Sequence, residues 1–386
     1  MEYIPWSHFL FLRKFSCYNL CSSAFKIISW NVAGLRALLS NHPDALPSLV
    51  RRYNPDVICL QETKLQDIHL HDEKLNIKGN LLCKEGYDCV FNCSVKKGYS
   101  GTAVIWKKWL NTVSPHIVAG KSTSNLVNVD KKKSAGIPKG GKKQADISKF
   151  FSMKGHDSSQ DTVPQDSSST QPSLEAYQKY DGDVPIEHLV PTSIYPDLGM
   201  PEHDQEGRVL TMDYPLFSLT NVYVPNSGAE LKRLDERINS WDPALLSFMK
   251  QKHKTRGKPV IWLGDLNVAH TNLDCWNDGA KHLLKTPGTT KEEKDSFTRT
   301  LNDNNCAFVD AFRFLHPTAK GYYTYWSQRA GNRLPNKGLR IDYFICSREL
   351  MEDNAERKVV VRDSYMVTDQ SGSDHCPIVL EMEIKK

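Results

Sequence analysis

The chain has 386 residues, of which 39% are hydrophobic and 25% charged, the composition of a soluble globular protein with one large or two ordinary domains. Its formal net charge of +5 permits a polyanionic partner without requiring one. The ten cysteines include no CxxC pair, which argues against a compact disulfide framework and against a zinc site.

The first 24 residues differ in composition from the chain that follows. Their apolar segment, Trp6–Leu12, is too short for a membrane-spanning helix, and the basic residues Arg13 and Lys14 follow it, whereas a secretory signal begins with its positive charge. We therefore predict a disordered tail over residues 1–24 and no membrane association. A mitochondrial transit peptide is the alternative, because such segments are basic and poor in acidic residues.

From Phe25 onward, short apolar runs enter polar loops, as buried strands do. Predicted strands cover 25–31, 56–62, 87–91, 101–106, 216–224, 260–263 and 339–345, and a last strand follows His375. Apolar residues at helical spacing predict helices over about 35–52, 230–250 and 296–304. Strands that alternate with helices in this way predict stacked sheets flanked by helices.

The segment 121–206 lacks this periodicity and is rich in Ser, Gln, Asp, Lys, Gly and Pro, so we predict a long disordered insert. Its first, basic part contains Gln144, Ile147, Phe150 and Phe151 at the spacing Gln-x-x-Ile-x-x-Phe-Phe. One helical turn places these three apolar side chains next to one another. The pattern resembles the PCNA-interacting peptide and predicts binding to a sliding clamp.

The same insert carries two lysine clusters, Lys131–Lys133 and Lys142–Lys143. Their arrangement is typical of a bipartite nuclear signal, and a solvated run of charge is an equally good interpretation. We expect a nuclear protein, with the mitochondrion as the alternative if residues 1–24 are a transit peptide.

Polar side chains stand where the predicted strands end or begin, and one more, Asp342, stands inside a predicted strand. They are Asn31, Glu62, Asp265, Asn267, Asp342, Asp374 and His375. Asp265 and Asn267 are two residues apart, so an extended chain places both on the same side. Oxygen ligands and one imidazole on rigid elements suit a hard divalent cation and a phosphate group. The sequence therefore predicts one site built from several strand ends.

Seven motifs occur in a fixed order. They are Trp30–Arg36 (WNVAGLR), Leu60–Lys64 (LQETK), Gly98–Gly101 (GYSG), Asn221–Asn226 (NVYVPN), Gly264–His270 (GDLNVAH), Leu339–Phe344 (LRIDYF) and Gly372–Pro377 (GSDHCP). Together they resemble class II AP endonucleases of the exonuclease III type, over about Phe25–Ile384. The resemblance implies a four-layer α/β sandwich as the catalytic domain, residues 25–386, interrupted by the insert.

The same resemblance implies a function. It implies Mg²⁺-dependent hydrolysis of phosphodiesters 5′ to abasic sites in double-stranded DNA, as part of base excision repair, with Mn²⁺ as the alternative ion. It also implies 3′-phosphodiesterase or 3′–5′ exonuclease activity and a monomeric enzyme.

Phosphodiester hydrolysis needs a positioned water, a base and neutralisation of the phosphate oxygens. We expect Glu62 to be the main Mg²⁺ carboxylate, with Asn31 and Asp374 nearby. Asp265 is expected to deprotonate the water, and Asn267 to hold it or to stabilise the transition state. The full set of predicted metal ligands is Asn31, Glu62, Asp265, Asn267, Asp374 and His375.

The remaining roles concern the phosphate and the DNA. His375, kept charged by Asp342, is expected to contact the scissile phosphate, and Tyr223 to bond the phosphate or assist the leaving group. Packing for Tyr223 and a structural ion pair for Asp342 are the alternative interpretations. The residues expected to contact DNA are Lys64, Arg208, Asn226, Tyr325, Trp326, Arg329 and His375.

Some positions depart from the family pattern, and two other functions stay open. Ala33 replaces a residue that is often acidic, and Leu339 stands where some members have Trp. Arg329, rather than the short Ala229, is the better candidate for a side chain thrust into the duplex. The same scaffold serves deoxyribonuclease I-like nucleases, inositol-phosphate phosphatases and sphingomyelinases. A clamp-bound scaffold with vestigial catalysis is the second alternative.

Overall fold

The computed structural model describes residues 22–108, 115–118, 189–303 and 307–385. The strands in these ranges are β1 (Ser22–Asn31), β2 (Val57–Gln61), β3 (Tyr87–Asn92), β4 (Thr102–Lys107), β5 (His116–Ile117), β6 (Ser193–Tyr195), β7 (Val209–Asp213), β8 (Ser218–Tyr223), β9 (Val260–Asp265), β10 (Phe308–Asp310), β11 (Asp342–Ser347), β12 (Val359–Met366) and β13 (Ile378–Lys385). The α-helices are α1 (Leu35–Asn41), α2 (Ala45–Tyr53), α3 (Asp67–Leu70), α4 (Ile77–Asn80), α5 (Pro201–Asp204), α6 (Leu234–Glu236), α7 (Asp242–Arg256), α8 (Lys291–Leu301) and α9 (Ala311–Leu315).

The strands form two mixed sheets. One has the order β12-β13-β1-β2-β4-β3 and the other the order β10-β11-β9-β8-β7-β6-β5. In the first sheet, β1 is parallel to β2 and antiparallel to β13. In the second, β9 is parallel to β8 and antiparallel to β11, with Asp265 directly opposite Asp342. This register brings together two acidic residues that are far apart in the sequence.

Alternation along the strands divides their side chains between two cores. In β1, Phe25 and Ile27 belong to the core between the sheets, whereas Ile28 and Trp30 belong to the core beneath the first helices. Both faces of such a strand are buried, which explains why it reads as a continuous apolar run.

Helices cover the outer face of each sheet. Leu35, Leu38 and Leu49 of α1 and α2 pack on the six-stranded sheet, and Leu245 and Phe297 of α7 and α8 pack on the seven-stranded sheet. The layers are therefore helix, sheet, sheet and helix, and the predicted four-layer α/β sandwich is confirmed. In the described part of the chain, no helix is long and apolar enough to cross a membrane.

Gly264, the residue before Asp265 in β9, has a backbone conformation and a close strand contact that require glycine. Its φ is +131°, and a Cβ added there would lie 1.9 Å from the carbonyl oxygen of Val222 on the neighbouring strand. Only glycine tolerates both this backbone conformation and this close approach. Glycine at position 264 therefore allows β9 to place Asp265 at its end.

Asn221 joins the two sheets from within. Its Nδ2 donates to the carbonyl oxygens of Leu60 (3.0 Å) and Ala103 (2.9 Å), and its Oδ1 accepts from Gln61 Nε2 (2.7 Å). Asn221 lies on β8 of one sheet, whereas all three partners lie on β2 and β4 of the other. The sequence motif that contains Asn221 therefore begins with a structural residue.

Replacing Asn221 by leucine should lower the free energy of unfolding by about 2–3 kcal/mol, because leucine has a similar branched shape but leaves the buried polar groups around it without partners. Urea unfolding measures the loss. The exposed Asn239, whose Nδ2 donates to Asp235 Oδ1 (2.8 Å), provides the control, since Asn239→Leu should cost less than about 0.5 kcal/mol. Equal urea midpoints for wild type and Asn221→Leu would contradict the assigned role.

Two predicted boundaries differ from the structure. The first strand begins at Ser22 instead of Phe25. Residues 189–206, which we assigned to the insert, contain β6 and α5, and Ile194 of β6 lies in the core opposite Met212. A strand of three residues is too short to show periodicity, which explains this error. Residues 119–188, with Gln144, Ile147, Phe150 and Phe151, and residues 1–21 lie outside the described ranges.

Candidate active site

The ends of β1, β2 and β9 meet at one edge of the sandwich. Asn31 ends β1, and its Nδ2 donates both to Glu62 Oε1 (3.0 Å), just after β2, and to Asp265 Oδ2 (2.9 Å), at the end of β9. One amide group therefore holds a carboxylate from each sheet. Asn31 and Asp265 are both buried, so these contacts are shielded from water.

Glu62 is the half-exposed carboxylate of the cluster. Lys64 Nζ lies 3.0 Å from its Oε2. Burial opposes ionisation of Glu62, but the Lys64 charge, the Asn31 hydrogen bond and His375 outweigh it and lower its pKa. Glu62 is therefore charged at neutral pH. Lys64, predicted to bind DNA, neutralises this carboxylate here and donates to the Ala33 carbonyl oxygen (3.0 Å).

Asp265, His375 and Asp342 form a line of alternating charge. His375 Nδ1 lies 2.8 Å from Asp342 Oδ2, and its Nε2 lies 3.9 Å from Asp265 Oδ2. Burial works against protonation of His375, but the Asp342 charge and hydrogen bond, with Asp265 and Asp374, raise its pKa to about 10. The ring is therefore an imidazolium at neutral pH.

Two roles were predicted for His375: a metal ligand, and a cation that contacts the scissile phosphate. Asp265, Asp342 and His375 place ligand atoms within 4.8 Å of one another, as metal ligands do. A doubly protonated imidazole has no lone pair for a metal, however, and Asp342 already engages Nδ1. The hydrogen bond to Asp342 thus agrees with a cation that faces a phosphate, and His375 as a metal ligand stays a prediction.

Asn267 lies beside Asp265 with its side chain held from two directions. Its Nδ2 donates to the Val224 carbonyl oxygen (2.9 Å), and its Oδ1 accepts from Asn226 Nδ2 (2.8 Å). Its backbone N–H donates to Asp265 Oδ1 (2.9 Å). Asn226 is exposed and Asn267 buried, so this pair connects the surface to the base of the site.

Tyr223 reaches the site from β8. Its side chain is buried, and burial, followed by the Glu62 and Asp265 charges, raises the pKa of its hydroxyl well above the usual value. The phenol thus stays protonated and available as a donor.

Arg208 positions this tyrosine. It is 2% exposed, and its guanidinium donates to the Tyr223 carbonyl oxygen (2.9 Å), to the Tyr99 hydroxyl (2.8 Å) and to Glu206. Its Cζ lies 4.7 Å from the centre of the Tyr223 ring. All three nitrogens are engaged inside the protein, so the prediction that Arg208 contacts DNA is wrong.

The other predicted DNA contacts divide into interior and surface positions. Tyr325 is half-buried, with its ring centre 5.0 Å from that of His375, and Arg329 is exposed. Trp326 is only 3% exposed, and its indole N–H donates to Asn336 Oδ1 (3.1 Å). Trp326 therefore packs with Tyr323 and Cys376 inside the protein instead of offering a free ring to DNA.

The donor set suits a hard cation. Glu62 is charged and half-exposed, Asp374 is half-buried beside His375, and the Asn31 and Asn267 side chains add amide oxygens. Carboxylate and amide oxygens, without thiols or free imidazoles, are the ligands that divalent cations such as Mg²⁺ and Ca²⁺ prefer. Glu62 and Asp374, with Asn31 nearby, are the residues that would hold it.

A buried ion pair that sequence analysis missed supports this edge. The Arg237 guanidinium donates to the carbonyl oxygens of Leu266 (2.6 Å) and Asn267, and it lies 3.3 Å from Glu293 Oε1. Glu293 also accepts from Ser227. One pair thus fixes the loops after β8 and β9. The π-helical turn Arg237–Trp241 carries this arginine, and no local sequence signal marks it.

The fold and the site define a divalent-metal-dependent hydrolase of phosphate esters. The sequence pattern of the Endonuclease/Exonuclease/phosphatase family matches residues 28–129 and 170–375, and the chain belongs to this family.

Relatives agree with this assignment. A DNA-(apurinic or apyrimidinic site) endonuclease of Dictyostelium discoideum is 31% identical, over 93% of this chain and 71% of the relative. An exodeoxyribonuclease of Bacillus subtilis is 33% identical over 93% and 100%, and the DNA repair nuclease APEX1 of Danio rerio is 36% identical over 93% and 82%. The AP endonuclease LMAP of Leishmania major has a similar crystal structure (TM-score 0.64, 29% identity, covering 94% of this chain and 88% of that one). The resemblance to class II AP endonucleases of the exonuclease III type is confirmed.

Proposed function

We propose that this chain is a Mg²⁺-dependent DNA-(apurinic or apyrimidinic site) endonuclease that hydrolyses the phosphodiester 5′ to an abasic site in double-stranded DNA, with exonuclease activity at 3′ ends. The observation that carries the proposal is the convergence of Asn31, Glu62, Asp265, Asp342 and His375 at one edge of the sandwich. The names of the relatives, which include AP endonucleases and exodeoxyribonucleases, support this choice among phosphate esters.

Asp265 acts as the base toward the attacking water. Burial raises its pKa to about 7; the His375 charge opposes this shift, and the Asp342 and Glu62 charges add to it. A carboxylate with this pKa accepts a proton from water near neutral pH far better than an ordinary aspartate. Asn31 and the backbone of Asn267 orient its two oxygens.

His375 and Tyr223 face the phosphate. The imidazolium is oriented by Asp342, and its Nε2–H supplies a positive donor to an oxygen that gains charge in the transition state. The protonated Tyr223 hydroxyl supplies a second donor. When bound, the metal ion neutralises phosphate charge and stabilises the leaving 3′ oxygen.

The direct test is incision of a duplex with one abasic-site analogue, in Mg²⁺ and in EDTA, with mapping of the cleaved bond. Cleavage 5′ to the lesion that requires the metal is expected. Absence of incision by folded wild-type protein, with cleavage of an inositol phosphate instead, would overturn the proposal and select another substrate of this scaffold.

Replacing Tyr223 by phenylalanine should lower the single-turnover rate of incision roughly 10- to 100-fold, because it removes one hydrogen bond to a charged group. The control is Tyr214→Phe, since the Tyr214 hydroxyl is buried between the sheets and has no hydrogen-bond partner among the described residues. Tyr214→Phe should leave the rate unchanged. Equal rates for Tyr223→Phe and wild type would assign Tyr223 to packing.

Clamp binding and nuclear location form a further part of the proposal. The spacing of Gln144, Ile147, Phe150 and Phe151 in a lysine-rich segment supports a sliding clamp (PCNA) as partner. Phe150→Ala/Phe151→Ala should abolish capture by immobilised clamp while abasic-site incision by the free enzyme is kept. Unchanged capture would refute the clamp site.

Loss of nuclear accumulation in a variant lacking the lysines at 131–133 and 142–143 would support the nuclear signal.

A further inference from the structure

A small ribbon connects the catalytic histidine to the protein surface. Three isolated antiparallel β-bridges form this ribbon: Cys275 pairs with Leu339, Leu339 pairs with Tyr325, and Tyr325 pairs with His375. Cys275 is buried, and the chain then turns its next side chain, Trp276, outward. The Trp276 backbone N–H donates to the Gly338 carbonyl oxygen (3.1 Å), which fixes Trp276 to the outer edge of this ribbon.

Trp276 is 41% exposed although tryptophan is the largest apolar side chain. Single exposed aromatics are common on protein surfaces, so exposure alone assigns no role. The setting adds two observations. The exposed Lys337 places its Nζ 5.1 Å from the centre of the Trp276 ring, and the exposed Lys281 and Lys285 follow on the next segment. An exposed aromatic ring beside a lysine has the chemistry of a site that stacks on a nucleobase of a polyanion.

The distance from the catalytic centre limits which part of the DNA this surface meets. Three strand spacings of about 4.8 Å separate Cys275 from His375, which gives at most about 15 Å. Stacked nucleotides rise about 3.4 Å each, so Cys275, the neighbour of Trp276, lies within a rise of about four or five nucleotides from His375. Inside a duplex, a base is stacked on both sides and has no free face for an indole ring.

We propose that Trp276 and Lys337, here called the Trp276–Lys337 pair, bind an unpaired base in single-stranded DNA that flanks the cleavage site. This inference rests on the proposed function and extends it to a substrate class, DNA with a single-stranded flank about four nucleotides from the lesion or 3′ end. Lys337 attracts the phosphate backbone, and the indole ring stacks on the base without sequence preference.

The protein provides a matched control. Phe314 is 42% exposed, and the Arg348 guanidinium carbon lies 5.9 Å from the centre of its ring. This second aromatic–cation pair has nearly the same exposure but lies at the other end of β11, where Arg348 follows Ser347, far from Asp342. A general effect of exposed aromatics on DNA binding would appear at both pairs.

The test measures dissociation constants by fluorescence anisotropy in EDTA, at one fixed salt concentration, for three DNAs with one abasic-site analogue. One is a continuous duplex; the other two become single-stranded four nucleotides from the lesion on its 5′ or 3′ side. Trp276→Ala should weaken binding of at least one flanked DNA about tenfold and of the continuous duplex less than about twofold. Trp276→Phe should retain most of the affinity, and Phe314→Ala should change none.

A second readout separates stacking from a structural defect. 2-Aminopurine in the single-stranded flank should lose emission on binding to wild type and to Trp276→Phe, and much less on binding to Trp276→Ala. Incision of the continuous duplex in Mg²⁺ by Trp276→Ala at the wild-type rate shows an intact site.

Two outcomes would overturn the inference. In the first, Trp276→Ala and wild type bind all three DNAs with equal affinity. In the second, Trp276→Ala and Phe314→Ala lower the affinity for all three DNAs by the same factor. If wild type fails to incise the continuous duplex, the proposed function fails; if wild type incises it and Trp276→Ala behaves like wild type, only the Trp276–Lys337 pair is refuted.

Discussion

Replacing Asp265 by asparagine should lower the single-turnover rate of incision about 10²- to 10⁴-fold, because asparagine cannot accept a proton from the attacking water. The change preserves volume and leaves an oxygen to accept from Asn31 Nδ2, which lies 2.9 Å from Asp265 Oδ2 in wild type. The loss should appear in the rate at saturating enzyme, whereas the affinity for abasic DNA in EDTA should stay near that of wild type.

The same variant should have a stability close to that of wild type, which separates lost chemistry from lost folding. The pKa of Asp265 is raised to about 7, above its unfolded value, because burial penalises the charge. A carboxyl group with a raised pKa destabilises the fold at every pH above its unfolded pKa, about 3.9. Removing that charge offsets the loss of the acceptor for the Asn267 N–H, which donates to Asp265 Oδ1 (2.9 Å) in wild type, so the urea midpoint at pH 8 should stay near that of wild type.

Asp353, an exposed carboxylate paired with Arg362 (2.7 Å) and Lys385, provides the control, and Asp353→Asn should incise at the wild-type rate. Incision by Asp265→Asn within tenfold of wild type would remove Asp265 from the role of base. Slow incision together with a lowered urea midpoint would instead assign Asp265 a structural role.

The strand ends carried most of the functional information in the sequence. Asn31, Glu62, Asp265 and His375 each follow or precede a short apolar run, and buried strands that meet at one edge gather such residues. The sequence did not predict that Asp265 and Asp342 lie side by side. This placement depends on the register between β9 and β11, which pairs residues distant in sequence and leaves no local pattern.

Arginines and aromatics were the residues whose roles the sequence did not reveal. Arg208 and Trp326 were predicted to bind DNA, and both are buried with their polar atoms satisfied internally. Arg237 was not noticed, although it holds the loop of Asn267. Whether an arginine faces solvent or a buried carboxylate depends on residues distant in sequence, such as Glu293 for Arg237. Neither composition nor local spacing predicts which of the two it faces.

The ion-pair network beneath Ile341 shows the energetic consequence of such hidden partners. Asp274 is fully buried, and its Oδ1 accepts from Arg340 Nε (2.7 Å) and Arg313 Nη2 (2.6 Å). Arg340 also lies 2.6 Å from Asp310 through its Nη2. This network anchors the segment that leads into Asp342, and the sequence offered only an unassigned aspartate in a loop.

Replacing Asp274 by asparagine should lower the free energy of unfolding by about 3–5 kcal/mol at pH 7, because it leaves the buried Arg340 charge without one of its partners. The comparison is Asp44→Asn, which breaks an exposed pair with Arg51 (2.6 Å) and should leave the urea midpoint close to that of wild type. Urea unfolding of wild type and both variants measures the two losses.

The pH dependence of this loss tests its electrostatic origin. Burial opposes ionisation of Asp274, but the Arg340 charge and hydrogen bond, with Arg313, hold its pKa far below the usual value. A group with a depressed pKa contributes its stability in full above its unfolded pKa, about 3.9, and loses that contribution as the pH falls toward the folded pKa. The difference in unfolding free energy between wild type and Asp274→Asn should therefore be constant above about pH 5 and shrink below about pH 4. A difference that stays constant down to pH 3 would show that Asp274 acts through packing and neutral hydrogen bonds. A contribution from its negative charge would decrease in this range, because the carboxyl group becomes protonated in the unfolded state.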